Sequence, residues 1–186
     1  MKTENLILPL IAERRSELSF QPVILPDEIL MNLFEASRWS PSAFNEQPWN
    51  YFLGNRKNPE SFSKVLSLLA PPNQEWAKNA SALVISSANG NNSKNGSKNY
   101  YALHDLGMAT FSLVGQAQAM GLVTHLMGGF DHQKARELLN IPDEQIIGAA
   151  IAIGYKGENT NLPPVLYERM TSPRVRKGIT DFVINV

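Results

Sequence analysis

The residues best equipped for chemistry stand in two basic clusters far apart in the chain. Arg14-Arg15-Ser16 lies near the start and Arg174-Val175-Arg176-Lys177 near the end. Guanidinium forks beside a hydroxyl suit a phosphate monoester, because they present paired charged donors in the plane of its oxygens. Between them lies a polar stretch, Arg38-Trp39-Ser40-Pro41-Ser42-Ala43-Phe44-Asn45-Glu46-Gln47-Pro48-Trp49. Each Pro removes a backbone donor and biases the residue before it towards an extended conformation. A plain turn would use Gly and Asn and has no need of two indoles, so this stretch reads as a ligand-shaping loop. Gly128-Gly129 completes the set, since glycines let backbone amides approach the edge of a flat ring. Two adjacent arginines can also be no more than a solvated helix end, where cations favour the C-terminal dipole.

Other chemistries fail on inventory. The chain of 186 residues has no cysteine, which removes disulfides, thiol nucleophiles and thiolate metal sites. There is no Gly-x-Ser-x-Gly, no Walker loop and no Gly-x-Gly-x-x-Gly. His104, His125 and His132 lack metal-ligand spacing. His104 falls in an apolar run and is expected to be buried; His132 is expected in the first turn of a helix. A net charge of +0 gives no footprint for nucleic acid or an anionic membrane. The start of the chain lacks a signal-peptide layout, and the apolar run from Tyr100 to Met120 carries His104, Asp105, Gln116 and Gln118, so it reads as a core helix and not a membrane span. A cytoplasmic address is expected.

The elements that must position these residues can be read in order. Residues 5 to 14 form a short helix opened or kinked by Pro9, and 17 to 25 are extended. Pro26-Asp27-Glu28 opens a helix with Ile29, Leu30, Leu33 and Phe34 on its buried stripe. Trp49 to Leu53 is a strand. Asn58-Pro59-Glu60 starts a helix that Pro71-Pro72 breaks, a short helical turn surrounds Glu75-Trp76, and Ala82 to Ser87 is a strand. Residues 89 to 99, all Asn, Gly, Ser and Lys, read as a mobile surface loop. A core helix spans Tyr100 to Met120 and stops at Gly121. Leu122 to Met127 is a strand, Asp131 caps a helix that stops at Asn140-Ile141-Pro142, and Gln145 to Tyr155, apolar on both faces, is a central buried strand. From Lys156 the chain is loop-like, ending in apolar Ile179, Phe182, Val183 and Ile184. The order is that of an α/β or α+β chain, most simply one domain over residues 1–186, with a C-terminal arm packed on a partner subunit.

Taken together, these residues resemble the nitroreductase family, the dimeric FMN-dependent NAD(P)H oxidoreductases. Arg14-Arg15-Ser16 is similar to the family's Arg-x-Ser motif, and Ser40-Pro41-Ser42-x-x-Asn45-x-Gln47-Pro48-Trp49 to its most recognisable signature. Asp105-Leu106-Gly107, Gln116-Ala117, Gly121-Leu122, Gly129-Phe130-Asp131 and Ile153-Gly154-Tyr155 follow in family order. The resemblance implies an α+β three-layer fold: a mostly antiparallel mixed sheet flanked by helices, with the C-terminal arm exchanged between subunits. It also implies a homodimer with FMN at the subunit interface, NADH or NADPH as reductant, and a small-molecule acceptor such as a nitroaromatic or quinone.

By the same resemblance, Arg14, Arg15 and Ser16 would contact the flavin pyrimidine or phosphate, and Arg174 and Arg176 the phosphate. Pro41, Ser42 and Asn45 would reach the flavin from the other subunit, and Gly128 and Gly129 would line the ring near N5. No side chain need act as acid or base. The family often carries a cation where this chain has Leu18, two residues after the motif serine, and the short segment 89–99 stands where longer relatives build a lid. An open pocket is expected. The same fold also serves flavoenzymes that act on one metabolite by dehalogenation, dehydrogenation or flavin cleavage, and non-catalytic flavin binders.

Overall fold

The computed structural model describes residues 5–186. Its centre is β4 (Gln145–Tyr155), the strand whose sequence is apolar on both faces. It lies between β2 (Ala82–Asn89) and β3 (Leu122–Met127), and β2 also pairs with β1 (Trp49–Asn55), giving the order β1-β2-β4-β3. All three pairings are antiparallel, with Phe52 opposite Ile85, Val84 opposite Ile151 and Leu126 opposite Ile151 from the other side. The parallel component of the sheet is confined to a single bridge between Ser16 and Thr124.

Side chains alternate across a strand, and here the alternation feeds two separate cores. Ala82 and Val84 of β2, with Ile151 and Ile153 of β4, pack against Leu30 and Leu33 of α2 (Asp27–Arg38) and Leu113 and Ala117 of α5 (Ala102–Ala119). Leu83, Ile85, Ala150 and Ala152 point the other way. They meet Phe62 and Val65 of α3 (Pro59–Leu66), Trp76 of α4 (Pro71–Ala77) and Ala135 of α6 (His132–Leu139). Helices on both sides of one sheet make three layers, as expected.

Local chemistry places the helix ends. Proline stands at the first turn of α1 (Pro9–Glu13), α3, α4 and α7 (Pro164–Thr171), where its missing N–H costs nothing. Pro71-Pro72 therefore opens α4 as much as it ends what precedes it. The Asn58 side chain accepts from the Ser61 amide at 3.2 Å and Asp131 from the Lys134 amide at 2.9 Å, capping α3 and α6. Asn140, at φ +52°, closes α6 in the left-handed conformation.

Three expectations are corrected. His104 is exposed, not buried: its side chain sits 66% exposed on the outer face of α5, beside the buried carboxylate of Asp105. Residues 89–99 are a hydrogen-bonded hairpin turn, not a featureless loop. Asn91 bridges Lys98, the Asn92 amide donates to the Ser97 carbonyl at 2.7 Å, and Asn99 donates back to Gly90 at 2.8 Å. Finally, the tail after Lys156 contains α7, whose Leu166 and Met170 pack on the core under α4.

The extended segment 16–21 is a strap across the end of the sheet. Its Glu17 amide donates to Thr124 of β3, and its Gln21 amide to Tyr155 of β4 at 3.0 Å. The Gly157 amide then bonds the Ser19 carbonyl at 3.0 Å. A Cβ at Gly157 would lie 2.8 Å from the Phe20 carbonyl oxygen, so the crossing requires glycine there. This strap fixes Arg14, Arg15 and Ser16 beside β3.

Candidate functional site

The structure brings the two basic clusters together. The end of α7 and the segment after it run alongside the strap, and Arg15 donates to the Ser172 carbonyl at 3.0 Å. Arg174 donates to the Arg14 carbonyl at 2.5 Å and also to that of Ala12. These bonds close a pocket of about 190 Å³ lined by Arg14, Arg15, Ser16, Arg169, Met170, Arg174 and Arg176. Five arginines line it. Among the described residues, none of the five makes an ion pair with a carboxylate. Burial, with the Arg174 and Arg176 charges added, pushes the Arg14 guanidinium below its usual range. Cations packed side by side without acids fit an anion, and a phosphate dianion matches their fork geometry.

The positions of these cations differ in kind. Arg15 and Arg174 are spent on backbone carbonyls and act as clips. Arg176 bonds only its neighbour, the Val175 carbonyl, at 2.7 Å. Arg169 was not foreseen from sequence: it sits in the last turn of α7, within a tail read as loop. The signal that could have found it is the spacing of Leu162, Leu166 and Met170, which marks a helical stripe.

Ser16 is exposed, but Glu17 after it turns inward, where its Oε1 meets Lys156 at 3.2 Å and its Oε2 has no partner. His125 of β3 donates from Nδ1 to the Glu17 carbonyl at 2.8 Å, and its ring packs at a tilt of 39° to Trp76, with centroids 4.7 Å apart. Burial pushes the His125 imidazole below its usual 6.5. Leu18 is 1% exposed and faces Phe20 and Trp76 at a separate cavity of about 480 Å³. A cation there would be buried among aromatics, which accounts for leucine at that place.

The loop 40–48 does not join the arginine pocket within the chain. It begins at the end of α2, where Arg38 and Trp39 are both tied to Glu35, at 2.5 and 2.9 Å. Beyond them the backbone is strained: Phe44, Asn45 and Gln47 have φ of +52°, +59° and +48°. Non-glycine residues adopt such angles only when the surroundings over-determine them. Here the Ala43 amide donates to Asp105 Oδ2 at 2.9 Å, and the Gln47 amide to Ser42 Oγ at 3.0 Å. Glu46 holds the Ser93 amide of the 89–99 hairpin at 2.7 Å. Pro41 and Asn45 are exposed; the Asn45 backbone N–H donates to the Ser42 carbonyl at 3.1 Å, and its side-chain amide makes no hydrogen bond among the described residues.

Gly128 and Gly129 follow β3. The Gly129 carbonyl accepts from the Ala70 amide at 2.9 Å and from Asn73 Nδ2 at 3.0 Å. A Cβ on Gly129 would crowd Asn73 Nδ2 at 2.8 Å, whereas one on Gly128 would meet nothing within 4 Å. Gly129 is thus explained by packing, and Gly128 is not. No group of His, Asp and Glu among the described residues could hold a metal ion.

A model of the nitroreductase family matches residues 11–155. The chain belongs to the nitroreductase family. Its fold superposes on a crystal structure described as an oxidoreductase containing FMN, with a TM-score of 0.93 and 34% identity over 98% of this chain and 93% of that one. Protein DrgA of Synechocystis sp. is 30% identical over 80% of this chain and 83% of its own length. A protein of Archaeoglobus fulgidus, provisionally named NADH dehydrogenase/NAD(P)H nitroreductase, is 26% identical over 80% of this chain and 84% of its own. The family match ends before α7, so the arginines of residues 169–176 lie outside it, and only the coordinates show that they meet Arg14 and Arg15.

Proposed function

We propose that this chain is an FMN-dependent oxidoreductase that passes hydride from NADH or NADPH to nitroaromatics, quinones or similar acceptors in a ping-pong sequence. The observation that carries it is the pocket of five arginines without a carboxylate, assembled from segments more than a hundred and fifty residues apart. Such a pocket is costly unless an anion fills it, and its relative of known structure is described as containing FMN.

The residues fit that group. Arg14, Arg176 and Ser16 would hold the phosphate, with Arg15 and Arg174 fixing the backbone around it. Gly128 would leave room at the ring edge that a Cβ would take. FMN, when bound, supplies hydride acceptance and donation at its N5. The protein's part is to bind, to orient and to leave one face open for reductant and acceptor in turn. Cationic and amide dipoles near the pyrimidine favour a ring that gains electron density.

Pro41, Ser42 and Asn45 belong in this reading to the partner's site. In one subunit the loop 40–48 is anchored at Asp105, whereas Leu10, next to the arginine strap, lies over Gly115, 3.8 Å from where a Cβ on that glycine would stand. Ten residues of helix separate these points by about 15 Å. A homodimer in which loop and pocket come from different chains accommodates that separation. Leu103 and Phe111 on the outer face of α5 are 50% and 49% exposed, as a dimer contact would leave them. The apolar tail around Phe182 and Ile184 is read as the exchanged arm, residues 1–186 as one FMN-binding domain, and the cytoplasm as its location. Among the described residues no helix is long and apolar enough to cross a membrane.

The experiment is a visible spectrum of the purified protein, before and after FMN is added, followed by anaerobic reduction with each nicotinamide. A yellow protein bleached by NADH or NADPH and restored by a quinone supports the proposal. A colourless protein that takes up no FMN refutes it.

A further inference from the structure

The arginine pocket contains one more cation than its clips and the motif residues explain. Arg169 lines the same pocket as Arg14 and Arg176, yet it comes from a different element, the last turn of α7. A cation in that turn is favoured by the helix dipole alone. That accounts for its sign, but not for its place in one pocket with four other arginines, whose charges repel it. The Arg169 side chain makes neither a hydrogen bond nor an ion pair among the described residues, so no described group offsets the repulsion. Its neighbour Met170 is 5% exposed and anchors the helix turn in the core, which holds Arg169 at the pocket and keeps it from swinging freely away.

We propose that Arg169 is a phosphate-holding residue, and that the anion it shares with Arg14 and Arg176 draws the segment 169–176 against the strap at residues 14–16. The clips from Arg15 and Arg174 shape the pocket but bring two like charges into it. Closing it without an anion leaves five cations together, while a dianion neutralises the group and lets α7 and the strap stay joined. Docking of α7 and phosphate binding are therefore one event. The inference relies on the flavin reading to identify the ligand, but not for the presence of an anion.

The test is calorimetric titration of the full-length apoprotein, at fixed ionic strength, with FMN, riboflavin and inorganic phosphate. It compares the wild type with Arg169→Gln and Arg169→Lys. Arg169→Gln is expected to weaken FMN and phosphate about tenfold or more, as loss of a charged hydrogen bond does. Riboflavin affinity should not change, and Arg169→Lys should recover part of the loss. Phosphate should also slow proteolysis within residues 164–176 in the wild type and less so in Arg169→Gln. Equal losses for FMN and riboflavin, or none for either, overturn the assignment. If the wild type takes up phosphate through Arg169 but no FMN, the flavin reading falls and this one stands. If FMN is held equally by both proteins, the reverse is true, and a wild type that binds neither ligand ends both.

Discussion

The Arg174 guanidinium donates to the backbone carbonyl of Arg14 across 160 residues of sequence, at 2.5 Å. A residue expected to grip a ligand thus grips the chain itself, and fixes the backbone of another arginine of the same pocket. Arg174→Ala should therefore act on the fold as well as the site. Losing a hydrogen bond from a charged donor costs about 1.5–3 kcal/mol, read as a lower urea midpoint of the apoprotein. Arg176→Ala, which removes only a bond to its neighbour Val175, should leave that midpoint in place and lower FMN affinity about tenfold or more.

Asp105 is 1% exposed and spends one carboxylate oxygen on the Ala43 amide. It is the tether of a loop whose φ values are held positive at three non-glycine residues. Asp105→Ala should cost about 1.5–3 kcal/mol of stability and weaken flavin binding with no contact to the flavin lost. Asp105→Asn keeps an acceptor oxygen for that amide and should lose much less. Paired urea melts and FMN titrations of the two variants check this; equal behaviour of Asn and Ala would remove the tether.

Gly128 offers a separation of fold from function. Since a Cβ there meets nothing within 4 Å, Gly128→Ala should leave thermal stability unchanged. If Gly128 lies against the flavin edge, the same methyl should slow anaerobic flavin reduction by about tenfold, the size of a small misplacement at a reacting centre. Stopped-flow reduction by NADH or NADPH reads it, and an unaltered rate would take Gly128 out of the site.

His125 sets a pH dependence. Burial holds its folded-state pKa below 6.5, so the unfolded chain takes up the proton first. Its contribution is complete above about pH 6.5 and is lost as pH falls towards the lower, folded value. Stability should thus decline between pH 7 and 5, and His125→Asn, which does not titrate, should decline less over that interval. Urea melts at the two pH values measure the difference.

Much of this architecture is written in local chemistry. Pro26-Asp27-Glu28 and Asp131 mark helix starts by capping and dipole rules, and β4 shows its place at the centre through residues apolar on both faces. What local rules miss is direction. The run around His104 is apolar nearly all round, so no periodicity says which face of α5 is turned outward, and burial was assigned to a residue that is exposed. The hairpin at 89–99 carries no apolar residue, and its order comes from Glu46 and Glu144 elsewhere in the chain. Arg169 is the same lesson at the site: a lone basic residue in a polar tail gains meaning only when α7 folds back on a strap more than a hundred and fifty residues earlier. The motifs located Arg14, Ser16, Arg174 and Arg176; the roles of Arg15 and Arg174 as clips are set by tertiary contact.

Because the pocket draws on Arg14 and on Arg176, it has a place in time as well as in space. During synthesis the four strands and helices α1 to α6 are complete by Tyr155, and the core between the sheet and α2 and α5 can form while later residues are still being added. The anion pocket cannot. If this pocket holds the cofactor, capture must wait until residues 169–176 have been made, so a chain stalled or clipped before Arg174 should keep its sheet and stay colourless. Colour in a preparation would then report that translation had run through Arg176, a check on completeness that the stability of the sheet does not provide.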